Sequence, residues 1–233
     1  MLAPRWVTCA QSSPQSSSTE SRKNPALYAE TEGGVASKAS YARRKKPQVL
    51  APAGGWAQLR AAVACGADAV YFGLDGVNAR ARAENFTLQE LPGLMAELHA
   101  AGVKGFVAMN ILLWDDELAD IERRVRACAA AGVDAMIVQD VGAVTLCRSV
   151  APHLPVHAST QMTVTSAEGA RFAAALGVKR VVAARELSIR ELKSVCDGVN
   201  DGQKGIDVEA FVHGALCVSY SGQCLSSEAW GGA

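Results

Sequence analysis

Two cysteines near the end of this chain, Cys217 and Cys224, sit in a run rich in small residues, from His213 and Gly214 through Ser219, Ser221 and Gly222. Thiolates hold soft metals and iron–sulfur clusters, and small neighbours let backbone approach a bulky ligand closely. The C-x6-C spacing matches no familiar zinc or ferredoxin pattern. By itself it leaves two readings open: metal-binding thiols, or cysteines used as small apolar filler. A cluster takes about four thiolates, and this run offers two. Cys65, Cys128, Cys147 and Cys196 lie singly within predicted helices and read as buried apolar residues. Cys9 has no evident role.

A second set of polar residues is expected where strands end. These are Asn110, Gln139-Asp140, Ser159-Thr160-Gln161, Arg185-Glu186 and His213, with Arg80, Arg82 and Glu84 in an earlier loop. Of these, Arg80, Arg82, Asn110, Gln161, Arg185 and His213 are candidates to line a pocket as hydrogen-bond donors to an anionic or heterocyclic group. Structural roles compete. Asp115, Asp116 and Ser188 each open a helix and are expected as N-caps, and Arg185 with Glu186, or Arg80 with Glu84, could pair as ions. The sequence holds no H-E-x-x-H zinc motif, no G-x-S-x-G nucleophile elbow and no strand lysine suited to a Schiff base.

The elements that must carry these residues repeat one joint. Gly66-Ala67-Asp68, Gly102-Val103-Lys104, Gly132-Val133-Asp134 and Gly177-Val178-Lys179 each follow an amphipathic stretch and precede a short apolar run. This predicts a helix closed by glycine, then a buried strand. Seven strands are predicted, at Val49–Ala51, Ala69–Leu74, Gly105–Leu112, Ala135–Gln139, Val156–Ser159, Arg180–Ala184 and Val208–Val212, with six helices between them. Parallel strands need such crossovers. An open doubly wound sheet would want a glycine-rich phosphate turn after its first strand, and Ala51–Trp56 lacks one. The expected fold is therefore α/β, a parallel (β/α) TIM-like barrel, whose catalytic groups gather at the C-terminal strand ends. Seven strands leave it one short of eight, so it is expected to be incomplete at the C-terminus.

Charge is uneven. Residues before Gln48 hold eight Lys or Arg against three Asp or Glu, leaving fifteen against twenty in the body. The body thus lacks the basic footprint of a nucleic-acid binder. Residues 1–47 have no apolar periodicity; being Ser-rich, basic and acid-poor, they are expected to be a disordered tail with the composition of a plastid transit peptide. The body, 48–233, is expected to be one domain. No apolar run approaches the ~18 residues of a membrane span.

The run Glu209-x-Phe211-x-His213-Gly214-Ala215-Leu216-Cys217-x-x-Tyr220-Ser221-Gly222-x-Cys224 strongly resembles the defining motif of peptidase family U-32, the collagenase-like peptidases. Val49–Gly54, Gly66–Tyr71, Arg80–Phe86, Ser159-Thr160-Gln161 and Arg185–Ser188 resemble it too, in order, so that the likeness runs from Gln48 to Trp230. Ser226 departs where many members carry an apolar residue. The resemblance implies a barrel-like domain. It also implies, for several members, an iron–sulfur protein serving oxygen-independent hydroxylation of a ribosomal RNA cytidine, a tRNA wobble uridine or the ubiquinone ring. The RNA group implies prephenate as cosubstrate. Cys224 to Gly232 looks most like the ribosomal RNA group. Carried over, Cys217 and Cys224 become ligands of a 4Fe-4S cluster whose other ligands lie past Ala233, and the chain is expected to be an N-terminal fragment reaching RNA through regions it lacks. A U-32-type peptidase and an inactive truncated barrel are the alternative readings.

Overall fold

The computed structural model describes residues 6–8, 47–76, 84–199, 205–214 and 219–223. The strands in chain order are β1 (Trp6–Thr8), β2 (Gln48–Ala53), β3 (Ala69–Gly73), β4 (Lys104–Met109), β5 (Ala135–Val138), β6 (Val156–Ala158), β7 (Arg180–Val182) and β8 (Asp207–Ala210). Helices α1 (Trp56–Ala64), α2 (Leu91–Ala100), α3 (Leu118–Ala130), α4 (Val141–Val150), α5 (Ala167–Ala175) and α6 (Ile189–Val199) form the six crossovers. The seven strands β2 to β8 pair consecutively and all in parallel, as the alternation requires. β1 lies within the segment expected to be disordered. It pairs in parallel with β2 on one side and β8 on the other, and so closes the sheet into a barrel.

The repeated joint explains itself in the structure. Gly66, Gly102, Gly132 and Gly177 all adopt positive φ, between 71° and 98°, the left-handed turn that ends each helix. Where the joint continues to aspartate, the carboxylate takes a backbone amide of the neighbouring strand's first turn. Asp68 accepts from the Val49 amide at 2.7 Å, and Asp134 from the Gly105 amide at 2.8 Å. Two helix starts carry reciprocal caps: Thr87 with Glu90, and Ser188 with Glu191, the latter as expected. Asp115 and Asp116 are not caps. Strand β4 stops at Met109 rather than Leu112, Glu117 takes the N-cap position of α3, and its carboxylate accepts the Trp114 amide instead.

Side-chain alternation divides two cores. Val70, Phe72, Val107, Met109, Met136, Val138, Val156 and Val181 face outward and are covered by Leu59, Leu94, Leu98, Ile121, Val125 and Val144 of the helices. Cys128 and Cys147 belong to this layer, where burial pushes each thiol up to about 12. These two are apolar filler as expected, whereas Cys65 is exposed and Cys196 half-buried.

The lumen holds the smaller group Leu50, Ala69, Phe106, Ala135 and Ile137, with Tyr71 against it. Beside them lies a buried polar cluster. The Arg180 guanidinium donates to Asp207 at 3.0 Å, stands 4.0 Å from the Glu209 carboxylate and lies over the Phe106 ring. His157 meets the same ring edge-on at 5.0 Å. Among the described residues, His157 Nδ1 and Glu209 Oε2 have no hydrogen-bond partner. Burial, helped by the positive charges of Arg180 and Lys104, keeps His157 neutral, far below the usual imidazole range. Burial likewise raises Glu209 to about 7, with Arg180 opposing the shift.

A carboxyl whose pKa is raised by folding favours the native state while protonated. The contribution is full below the unfolded value of about 4.5 and is lost as pH rises through about 7. Between those values the shift corresponds to about 3 kcal/mol. Glu209→Gln, neutral at every pH, should therefore flatten this part of the stability profile. Denaturant unfolding of parent and variant at about pH 5 and about pH 8 checks it. Equal pH dependence in both proteins would show that Glu209 does not titrate this way.

Candidate active site at the C-terminal mouth

Because β2 to β8 are parallel, their C-terminal ends open on one face. Asn110 follows β4, half-buried. Asp140 follows β5 and is structural: its side chain accepts the Ala143 amide at 2.9 Å and caps α4. Ser159 follows β6, buried, and its hydroxyl accepts the Gln161 amide, starting the 3-10 turn Thr160–Met162. That turn ends at Thr163 with φ 58°, ψ 51°, a left-handed conformation rare for a β-branched residue. After β7 the buried Ala183 and Ala184 lead to exposed Arg185 and Glu186. After β8 come Phe211, then exposed Val212 and His213.

These ends converge on the segment Ser219–Gln223. The Ser221 amide donates to Glu186 at 2.6 Å, and the Ser221 carbonyl accepts the Thr163 hydroxyl at 2.9 Å. The Ser221 hydroxyl lies 3.5 Å from the Arg185 amide. Next along, the Gly222 amide donates to the Gln161 side-chain oxygen at 3.0 Å. Within the segment, Ser219 bonds the Gln223 carbonyl, and the Gln223 amide returns to Tyr220. Ser221 is thereby one of few buried polar residues among the described residues, with each of its polar groups engaged. The Ser221 amide is the first cause of the lowered Glu186 pKa, so the acceptor is ionised at neutral pH and the bond is charge-assisted.

Arg185 forms no ion pair with Glu186, whose carboxylate is taken by the Ser221 amide. Its guanidinium instead lies 4.4 Å over the Phe211 ring, a cation–π contact at the mouth. Of the expected site residues, Asn110, Gln161, Arg185 and His213 stand at the mouth. Arg80, Arg82, Cys217 and Cys224 lie outside the described residues, although their flanks are placed. Asn85 and Phe86, which follow the Arg-bearing loop, bond to Gly54 and Gly73 at the ends of β2 and β3. The segment 219–223 lies between the two cysteines. Among the described residues no group of three or more His, Cys, Asp or Glu could hold a metal ion, and no helix is long and apolar enough to cross a membrane.

Sequence reasoning placed Gln161 here as a substrate donor, whereas its side-chain oxygen is spent on Gly222. It gave no role to Thr163 or Phe211. Phe211 sits in the family-like motif and could have been found by its two-residue offset from Glu209; Thr163 gave no signal. Gly222 is the tightest point. Its φ is 75°, and an added Cβ would collide with the Thr163 hydroxyl and lie 2.6 Å from the Gln161 carbonyl oxygen. Gly222→Ala should combine left-handed strain with overpacking, about 2–4 kcal/mol together, and hydrogen exchange of the Ser221 amide should accelerate. Unchanged exchange would mean the segment is not held as described.

The sequence profile of Peptidase family U32 matches residues 54–233. The chain is 37% identical over 183 residues to tRNA hydroxylation protein P1 of Bacillus subtilis, covering 78% of this chain and 42% of that protein. It is 40% identical over 182 residues to the 23S rRNA 5-hydroxycytidine C2501 synthase of Escherichia coli, covering 78% and 26%. A protein named collagenase from Porphyromonas gingivalis is 36% identical over 187 residues, covering 77% and 44%. The chain thus spans less than half the length of each of these relatives. The solved structure of the U32 peptidase Mk0906 shares the fold at a TM-score of 0.56 and 12% identity, covering 73% of this chain and 94% of that one.

Proposed function

The chain belongs to peptidase family U32, and from that premise we propose that it is the barrel portion of an enzyme that hydroxylates an RNA base without molecular oxygen. The observation that carries this reading is the level of identity, 37% and 40%, to two relatives named for RNA hydroxylation. These two match about equally, so a ribosomal RNA cytidine as target rests on the resemblance of residues 224–232 alone. In this reading Cys217 and Cys224 are two of the ligands of a 4Fe-4S cluster, which when bound would supply electron-transfer or Lewis-acid chemistry. The fit rests on soft thiol donors flanking a segment where Gly222 brings backbone into close contact. Arg185 and His213 offer donors to an anionic group, prephenate included, and the Arg185 guanidinium rests on the Phe211 ring.

Arg185→Met keeps much of the apolar stem and removes the forked donor. In the protein extended to the full length of its relatives, this variant should fold with a near-unchanged thermal midpoint and lose at least tenfold in turnover of an RNA substrate under anaerobic conditions, about 1.4 kcal/mol of transition-state binding. Cys217→Ser and Cys224→Ser should each abolish the visible iron–sulfur absorption, whereas Cys128→Ser and Cys147→Ser should leave it. A peptidase is the second reading, favoured by the collagenase name of one relative. Peptide cleavage by iron-free protein, with no change in RNA, would install it instead.

Residues 1–47 are further proposed to deliver the protein to a plastid. Such a leader would include Trp6–Thr8, so its removal would reopen the seam between β2 and β8. A fluorescent fusion of residues 1–46 that stays cytosolic would sink the delivery proposal.

A further inference from the structure

Five large hydrophobic residues at the mouth are more than half exposed: Leu112, Trp114, Ile189, Val212 and Tyr220. Each follows the C-terminal end of a strand, whereas on the rest of the described surface Phe172 of α5 alone is as exposed. Apolar surface gathered in one place and left open to water marks a contact site. Two of the five are aromatic, Trp114 at 66% and Tyr220 at 72% exposure. By contrast Phe72, Phe86 and Phe106 are buried, and Trp56 packs edge-on against Phe86. The hydrogen bonds described for Trp114 and Tyr220 are made by their backbone groups, with Glu117 and Gln223 respectively. The fold therefore makes little use of either ring.

The charge at the same strand ends is not that of a phosphate-binding groove. Asp115 and Asp116 adjoin Trp114, Asp140 follows β5 and Glu186 follows β7, against the Arg185 cation. An RNA strand held by its phosphates needs a row of Lys and Arg. One held by its bases needs aromatic faces, since every base has a π-face and stacking tolerates any sequence. We infer that Trp114 and Tyr220 are stacking platforms for bases splayed out of an RNA strand, so that the mouth holds RNA chiefly by base faces and only weakly by phosphate. The inference deepens the RNA reading above and rests on it for the identity of the ligand. It also selects the kind of RNA: an unpaired stretch or an extruded base, because bases within a helix keep their faces covered by stacking.

The test uses the 233-residue chain and two probes read by fluorescence anisotropy. One is an unpaired RNA of about ten nucleotides, a length typical of one single-strand binding surface; the other is a ribose-phosphate oligomer of equal length without bases. The parent should bind the RNA more tightly than the abasic oligomer. Trp114→Ala and Tyr220→Ala should each weaken RNA binding about 5–100-fold, the effect of losing one stacked base, and leave the abasic oligomer unchanged. Trp114→Phe and Tyr220→Phe keep a ring and should stay near the parent. Both positions are exposed, and circular dichroism verifies that each variant folds. Log affinity for the RNA should fall with log salt at a slope of about −1 or shallower, as for one phosphate contact on a single strand. A parent that binds RNA no better than its two alanine variants do overturns the stacking and leaves the hydroxylation reading standing. Equal losses on both probes overturn it in the same way. A parent that binds no RNA overturns it too, and self-association that Trp114→Ala abolishes in sedimentation would then make the rim a protein contact. RNA bound as stated, while the full-length enzyme leaves RNA unmodified under anaerobic conditions, keeps the stacking and sinks the hydroxylation reading.

Discussion

Everything described at the mouth depends on one constraint: the strands all run the same way. A parallel pair cannot be joined by a tight turn, so each strand must be followed by a crossover that returns to the sheet's other end. Six helices meet that need between β2 and β8, and they bury the outward side chains of β3 to β7. The same constraint delivers every strand's C-terminal end to a single rim. Gln161 accepts the Gly222 amide across 61 residues and Glu186 the Ser221 amide across 35, because β6, β7 and β8 are consecutive parallel neighbours.

The lumen imposes a second condition. A barrel interior is usually filled by layers of apolar side chains, whereas this one places Arg180, Asp207, Glu209 and His157 among Phe106 and Ile137. A buried charge is tolerated only with a partner or after neutralisation. Both solutions appear: Arg180 keeps its charge against Asp207, while His157 and, near neutral pH, Glu209 tend to the uncharged form. Glu209 also links the two regions. Two residues further on, Phe211 supports the Arg185 guanidinium, and after two more His213 is exposed at the rim. One strand and its extension thus run from a protonatable lumen group to the open site.

Much of the scaffold was legible because it is local. A glycine before an apolar run reports a helix end wherever the chain is α/β, and the four such joints all carry the expected positive φ. Period-two burial then fixes which strand residues point outward. Strand ends were less legible: nothing in Asn110-Ile111-Leu112 separates a continuing strand from an apolar loop, and the three-residue misjudgement displaced the cap from Asp115 and Asp116 to Glu117. β1 was illegible because Trp6-Val7-Thr8 is too short to show a period and is held by pairing with two distant strands. At the site, sequence order sufficed to say that Asn110, Gln161, Arg185 and His213 share a rim. It could not say that Gln161 would be used on a backbone amide, or that Arg185 would choose a ring over Glu186, since those partners are chosen in three dimensions.

The distribution of bonding at the mouth bears on how one barrel serves relatives with different names. The matched region is common to proteins named for tRNA hydroxylation, rRNA hydroxylation and collagenase activity, and it covers less than half of each. Whatever distinguishes those activities therefore has most of its room outside the matched region, and what the barrel carries should be common to them. In this barrel Gln161 and Thr163 after β6 and Glu186 after β7 hold one loop, at a glycine where an added Cβ would collide with its neighbours. Three side chains on two strand extensions thus fix one short stretch of backbone at the rim. Arg185 and His213, both exposed, stand at the same rim outside this hydrogen-bonded stretch.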